Sequence, residues 1–213
     1  MRARCWFAAA VVLALGAEAR ADDDYVQRGM AFAEKGNNLT VSGSFSDLFN
    51  KKNYKKLSSG IEHVVVARLY VFEESDTKTP VSFALATFAI RYDLWDENWV
   101  VQISSPLGEK ILIFERKSQA FQAVSELDEF PTAPLARIDK GVNYFLAMIV
   151  EFNPKSEEQM AQVRKWLSKP SSGGLSSGSS FFGSFVSVFV NVKLPKADAT
   201  IKVRSQAFYR PRS

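Results

Sequence analysis

The segment His63 to Phe72 constrains the fold of this chain more than any other. It is almost entirely Val, Leu, Tyr, Phe and Ala, too apolar for a simple surface strand, and rich in the residue types that pack well on a pleated sheet. After a polar turn over Glu73 to Lys78, Val81 to Leu94 returns as a second long run with small residues on one side. Two such runs around a polar turn predict an antiparallel hairpin. Trp99 to Ser104 and Lys110 to Glu115 flank Pro106-Leu107-Gly108 and predict another. Leu39 to Phe45 alternates apolar with small polar residues and reads as the first strand. Tyr144 to Phe152 follows the Lys140-Gly141 turn. Thr200 to Phe208 sets Ile201, Val203 and Ser205 against Lys202 and Arg204 and reads as the last strand.

Helical spacing is rarer. Ser46 or Asp47 is placed to cap a helix over Leu48 to Ser58, with Gly60 as its stop. Ala120, Phe121, Val124 and Leu127 recur at helical intervals, so Ser118 to Leu127 is predicted as a short amphipathic helix. Pro131 and Pro134 then break the chain. Ser156 with Gln159 fits a capping box, and Met160, Val163 and Leu167 share a face behind it. Pro170 and the Ser/Gly tract 171–180 end that helix. About seven strands and two or three short peripheral helices predict a mainly β protein, an antiparallel β-sandwich immunoglobulin-like in layout. The alternative architecture is a transmembrane β-barrel, against which the helices and the paucity of ten-residue strands speak.

The N-terminus reads as a secretory signal. Arg2 and Arg4 precede the uncharged apolar run Cys5 to Gly16, and Ala19-Arg20-Ala21 offers a cut site between Ala21 and Asp22. The apolar run is shorter than the roughly 20 residues a spanning helix needs. Cleavage there removes three arginines and one glutamate, hence half of the +4 formal charge. The remainder carries no basic excess of the kind nucleic acid demands. It also loses Cys5, the only cysteine, so no disulfide is possible. A secreted eukaryotic domain of this size usually has some, which makes the bacterial periplasm the expected address. The predicted organisation is signal 1–21, N-terminal segment 22–36, sandwich 37–170, linker 171–180, and a Phe-rich segment with the final strand over 181–213.

Three short motifs carry a family resemblance: Ser59-Gly60-Ile61, the run Arg91-Tyr92-Asp93-Leu94-Trp95-Asp96-Glu97-Asn98-Trp99, and Gly141-Val142-Asn143-Tyr144-Phe145-Leu146. In their order along the chain they resemble a bacterial exported family of unknown function (domain of unknown function 4390). The resemblance covers about two thirds of the chain after the signal, from Leu39 to Leu167, and stops at Pro170. It implies an envelope protein and assigns no activity and no functional residue.

Chemistry is sparse. His63 is the only histidine, and no Cys, His or carboxylate cluster sits near it in sequence to complete a zinc site. A Ser-His-Asp triad would have to use it, but there is no Gly-x-Ser-x-Gly elbow. No phosphate-cradling glycine loop is present. These absences lead to an expectation of no cofactor and no enzyme activity. Asp93, Asp96 and Glu97 form a candidate polar turn between Trp95 and Trp99, readable as a cation-binding tip or a hydrolytic carboxylate pair, but more simply as a solvated turn with the tryptophans tucked beneath it. Glu126, Asp128 and Glu129 allow the same remark. Lys51, Lys52, Lys55 and Lys56 make a basic stripe, read as a solvated face rather than a lipid contact. The run Phe181 to Val192 reads either as a core strand, which its composition favours, or as an amphipathic helix that presents Phe181, Phe182, Phe185 and Phe189 to a partner. The expectation is a non-enzymatic periplasmic protein that binds or scaffolds an envelope protein. The alternatives are a carrier of an apolar ligand and, more weakly, a carboxylate-dependent hydrolase.

Overall fold

The computed structural model describes residues 25–154 and 197–212. The proposed signal with Ala21 and Asp22, the helix predicted from Ser156, the Ser/Gly tract and the Phe181 to Val192 run lie outside the described residues.

The described chain is a mainly β sandwich of two sheets with two α-helices. The large sheet contains β1 (Val26–Arg28), β4 (His63–Glu73), β5 (Ser82–Asp93), β6 (Asn98–Ser105), β7 (Gly108–Phe114), β9 (Asn143–Phe152), β10 (Ala199–Ser205) and the short β11 (Phe208–Tyr209). Its order is β1-β10-β9-β4-β5-β6-β7, with β11 also pairing β9. All pairs are antiparallel except β1 with β10. The small sheet has β2 (Ala31–Lys35), β3 (Asn38–Ser44) and β8 (Glu126–Pro134), in the order β2-β3-β8. Helices α1 (Lys51–Lys56) and α2 (Lys117–Ser125) lie outside the sheets.

Alternation along the strands builds the core between the sheets. Val65, Ala67, Leu69 and Val71 of β4 point to one side with Ala84, Ala86, Phe88 and Ile90 of β5 and Leu146, Met148, Val150 and Phe152 of β9. Leu39 and Val41 of β3 and Leu127, Phe130 and Ala133 of β8 meet them from the small sheet. The intervening residues Val66, Tyr70, Phe72, Phe83, Leu85, Phe145, Ala147 and Ile149 form a second buried cluster on the opposite side of the large sheet. β4 is therefore buried on both faces, which explains its lack of polar alternation.

One ion pair lies within that second face. Arg68 Nη2 is 2.6 Å from Glu151 Oε2, and the two side chains are 1% and 0% exposed. Their strands are adjacent, with Arg68 opposite Ile149 and Val66 opposite Glu151, so the pair is diagonal. Two residues along, Tyr70 is also buried, and burial raises its phenol above the ordinary range.

Several local expectations are corrected. β3 is not the first strand. β1 and β2 precede it, and β2 pairs with β3 through a two-residue turn at Gly36-Asn37, with Lys35 opposite Asn38. Gly36 has φ of +56°, the left-handed geometry such turns require. The first helix is capped by neither Ser46 nor Asp47. A 3₁₀ turn spans Ser46–Leu48, and the Asn50 side chain accepts from the Asn53 backbone N–H at 2.9 Å to start α1. Pro131 and Pro134 do not break the structure, because β8 runs through both as an edge strand. The described residues hold eleven strands rather than about seven.

Removing one member of a buried pair strands the other's charge, whereas replacing both with apolar residues is often neutral. Arg68→Met alone is expected to cost about 3–5 kcal/mol in urea unfolding. Arg68→Met combined with Glu151→Leu should recover most of it. Additive losses in this cycle would show that the two charges are not coupled.

Candidate functional site

A cleft of about 670 Å³ lies where the two sheets end side by side. α2 positions it. This helix crosses from β7, an edge of the large sheet, to β8, an edge of the small one. Ala120 and Val124 of α2 are buried in the core, which turns Gln119, Gln122 and Ala123 toward the cleft. Phe88, Ile103, Leu112, Phe114 and Phe130 supply an apolar floor. Glu109, Lys110, Glu126, Asp128 and Glu129 line its polar parts, four carboxylates to one ammonium.

The carboxylates reach the rim through an irregularity in β8. Val41 pairs with Phe130 but Gly43 pairs with Leu127, so β8 carries one residue more than β3 over this stretch. Glu129 absorbs it with φ of +45°. Its N–H donates to Ser42 Oγ at 2.8 Å, and its carboxylate pairs with Lys35 at 2.6 Å. A bulge of this kind bends an edge strand and re-aims its side chains. Glu126 accepts from Gln122 at 3.0 Å, while Asp128 is exposed. Sequence spacing had marked Glu126, Asp128 and Glu129. It gives no sign that α2 and β7 line a site with them, because a cleft between sheet edges depends on which edges meet.

The candidate turn Asp93, Asp96 and Glu97 lies elsewhere, between β5 and β6. Asp93 Oδ1 accepts from the backbone N–H groups of Trp95 at 3.0 Å and Asp96 at 3.3 Å. Those two donors hold the Asp93 carboxyl below the usual range. Glu97 closes the turn with φ of +49°. Trp99 is buried against Tyr92, but Trp95 is 95% exposed, so only one tryptophan is tucked under the turn. Leu94 and Ile61 are exposed beside it, and a Cβ on Gly60 would lie 3.1 Å from Leu94 Cδ1. Two of the resemblance motifs, Ser59-Gly60-Ile61 and the run from Arg91, therefore touch in space.

His63 sits in a polar network instead of a triad. Its Nε2 is 2.9 Å from the Lys56 carbonyl oxygen, which only accepts, so Nε2 bears the proton. Nδ1 is 3.0 Å from Asn153 Nδ2 and takes a hydrogen bond from it. Ser59 Oγ lies 3.2 Å from Nε2, the nitrogen without a free lone pair, so His63 cannot take its proton. Asn153 has φ of +49°, accepts from Val64 N at 3.0 Å and donates to Asp198 Oδ2 at 3.1 Å. Lys56 reaches the same Asp198 oxygen at 2.8 Å. Lys51, Lys52 and Lys55 are exposed. Burial alone pulls the Lys117 ammonium below its usual range, but Lys117 donates to the Tyr54 carbonyl oxygen and Ser58 Oγ, and so ties α2 to α1.

No group of three or more His, Cys, Asp or Glu among the described residues is placed to hold a metal ion. No helix among them is long and apolar enough to cross a membrane. Comparisons with protein-family models, curated proteins and solved structures each return no match.

The Asn153 amide joins the start of β4, through Val64 N and His63 Nδ1, to the approach to β10, through Asp198. Asn153→Ala leaves Val64 N and His63 Nδ1 without their partners and is expected to cost about 1–3 kcal/mol in chemical denaturation. A loss within 0.3 kcal/mol or so would mean that water replaces the amide freely.

Proposed function

We propose that this chain is exported across a membrane by its first twenty-one residues and acts as a non-enzymatic envelope protein that binds another protein through the cleft between β7, α2 and β8. The observation that carries this reading is the cleft itself: an apolar floor with a carboxylate rim, open to solvent along one side. An open apolar trough suits a segment of a partner's chain, which stays continuous with the rest of that partner. Ligand carriers more often enclose their cargo and bury most of its surface. Against hydrolysis, the carboxylates with displaced pKa values among the described residues (Glu34, Asp47, Asp76 and Asp93) are all lowered. A general acid of the glycosidase kind needs the opposite shift. The motif resemblance to an exported bacterial family supports the address and adds nothing on activity.

The volume favours one second reading, a carrier of an apolar small molecule, because about 670 Å³ is within the size of drug-sized ligand sites. A photo-crosslinking residue placed at Gln122 separates the two in cells. Protein binding is expected to give a discrete protein adduct at Gln122, none at Lys52 on α1, and none at Gln122 once Ala123→Trp fills the cleft. Absence of the adduct, together with an apolar small molecule retained in native mass spectra and lost in Ala123→Trp, would establish the carrier instead.

A further inference from the structure

We propose that the outer edge of β7 receives an extended segment of the partner as an added strand, and that this segment is amphipathic, with lysine or arginine on the face toward the cleft and β-branched apolar residues on the other. The inference rests on the cleft being the binding site and names the partner's chemistry there.

The edges of the two sheets are not equally available. β1 is three residues long. β2 has Phe32 stacked on Phe208, Glu34 paired with Arg210 and Lys35 paired with Glu129. β8 has Pro131 and Pro134 and two register shifts. Short strands, charges, prolines and bulges are the devices that keep sheet edges from pairing. β7 has few of them. It runs in unbroken register with β6 over seven residues, from Gly108 opposite Ser105 to Phe114 opposite Trp99, and contains no proline. Among the described strands it pairs with β6 alone. Ile111 and Ile113 on its outer side are 64% and 66% exposed. An edge in unbroken register flanked by exposed isoleucines is an invitation to strand addition, in which the backbone supplies affinity and alternate side chains supply selectivity.

The two sides of the edge then define what fits. Outward residues of an added strand fall beside Ile111 and Ile113, where β-branched partners pair best. Inward residues fall beside Lys110, Leu112 and Phe114, over the cleft, with Glu126 and Asp128 lining it too, so a basic residue fits beside Leu112 or Phe114 and not beside Lys110. A lysine or arginine there lays its methylene stem on the apolar floor and carries its charge to the carboxylates. A second copy of this chain fits less well. A two-fold axis through Leu112 pairs Ile111 with Ile113 of the second copy but sets Glu109 opposite Glu115 of that copy, and like charges directly opposite are destabilising. An axis through Ile111 avoids that clash but sets each Ile113 opposite a glutamate, Glu109.

The probes are a short capped peptide of alternating lysine and valine and its glutamate–valine counterpart, each mixed with the full chain and followed by amide hydrogen exchange. The lysine peptide is expected to slow exchange across Gly108–Phe114, to bind about tenfold more tightly than the glutamate peptide, and to weaken with added salt. Glu126→Lys with Asp128→Lys should reverse the preference, a gain of binding that a misfolded variant cannot give. Ile111→Lys with Ile113→Lys should abolish protection by either peptide while thermal unfolding remains cooperative. Equal binding of the two peptides, or no protection of β7, overturns the inference. If β7 stays unprotected while the Gln122 adduct forms in cells, the cleft reading stands and strand addition alone falls. A dimer in sedimentation equilibrium that Ile111→Lys dissolves gives the edge to a second copy and likewise overturns it.

Discussion

Two opposite charges shut away from water have to stay together, and in this fold they set where everything else goes. Arg68 and Glu151 sit on adjacent strands near the middle of the large sheet, both essentially without solvent contact. A slip of β9 against β4 by one residue would turn one charge into the apolar core between the sheets, at a cost of several kcal/mol per unpaired ion. The register of β4 with β9 is thus held at one point by charge. It is held at another by Asn153, whose side chain grips Val64 N and His63 at the start of β4. With these two strands aligned, β5 and β10 follow on either side, and the odd residues of β4 are committed to the core.

The cleft is what remains when a wide sheet faces a narrow one. Eight strands cannot be covered by three, and the small sheet meets the large one around β4 and β5. Beyond β5, the inward side chains of β6 and β7 are covered by α2 on one side and exposed to the cleft on the other. The bulge at Glu129 turns β8 away at the same place and sets carboxylates along the rim. Apolar floor, acidic rim and open strand edge therefore share one cause, the mismatch in sheet width.

Much of this was legible from residue patterns, and the reasons are local. The hairpins β4–β5 and β6–β7 announced themselves because each joins two apolar runs around a polar or Pro-Leu-Gly turn. α2 was visible from the spacing of Ala120 and Val124, since both face one core. β8 was hidden by its prolines, which are tolerated only because it is an edge. β1 and β2 were hidden by brevity and exposure, although Gly36-Asn37 is a recognisable hairpin turn. The Arg68–Glu151 pair had no local signal at all, because 83 residues separate its members and only the β4–β9 pairing brings them together. For the site, the rim carboxylates of β8 were noticed as a cluster, but the floor and the β7 edge emerge only from sheet order. The polar turn at Asp93 drew attention through composition, and its carboxylate is occupied with its own backbone.

The large sheet is locked at its centre, and among the described strands its edge β7 pairs with β6 alone. Native-state hydrogen exchange on the unliganded chain, resolved strand by strand, tests this directly. The slowest amides are expected in β4 and β9, with exchange only on global unfolding, and amides in β7 are expected to exchange through local opening orders of magnitude faster. Protection in β7 equal to that in β4 would contradict it, since the edge would then already be covered and the cleft would have nothing to offer a partner.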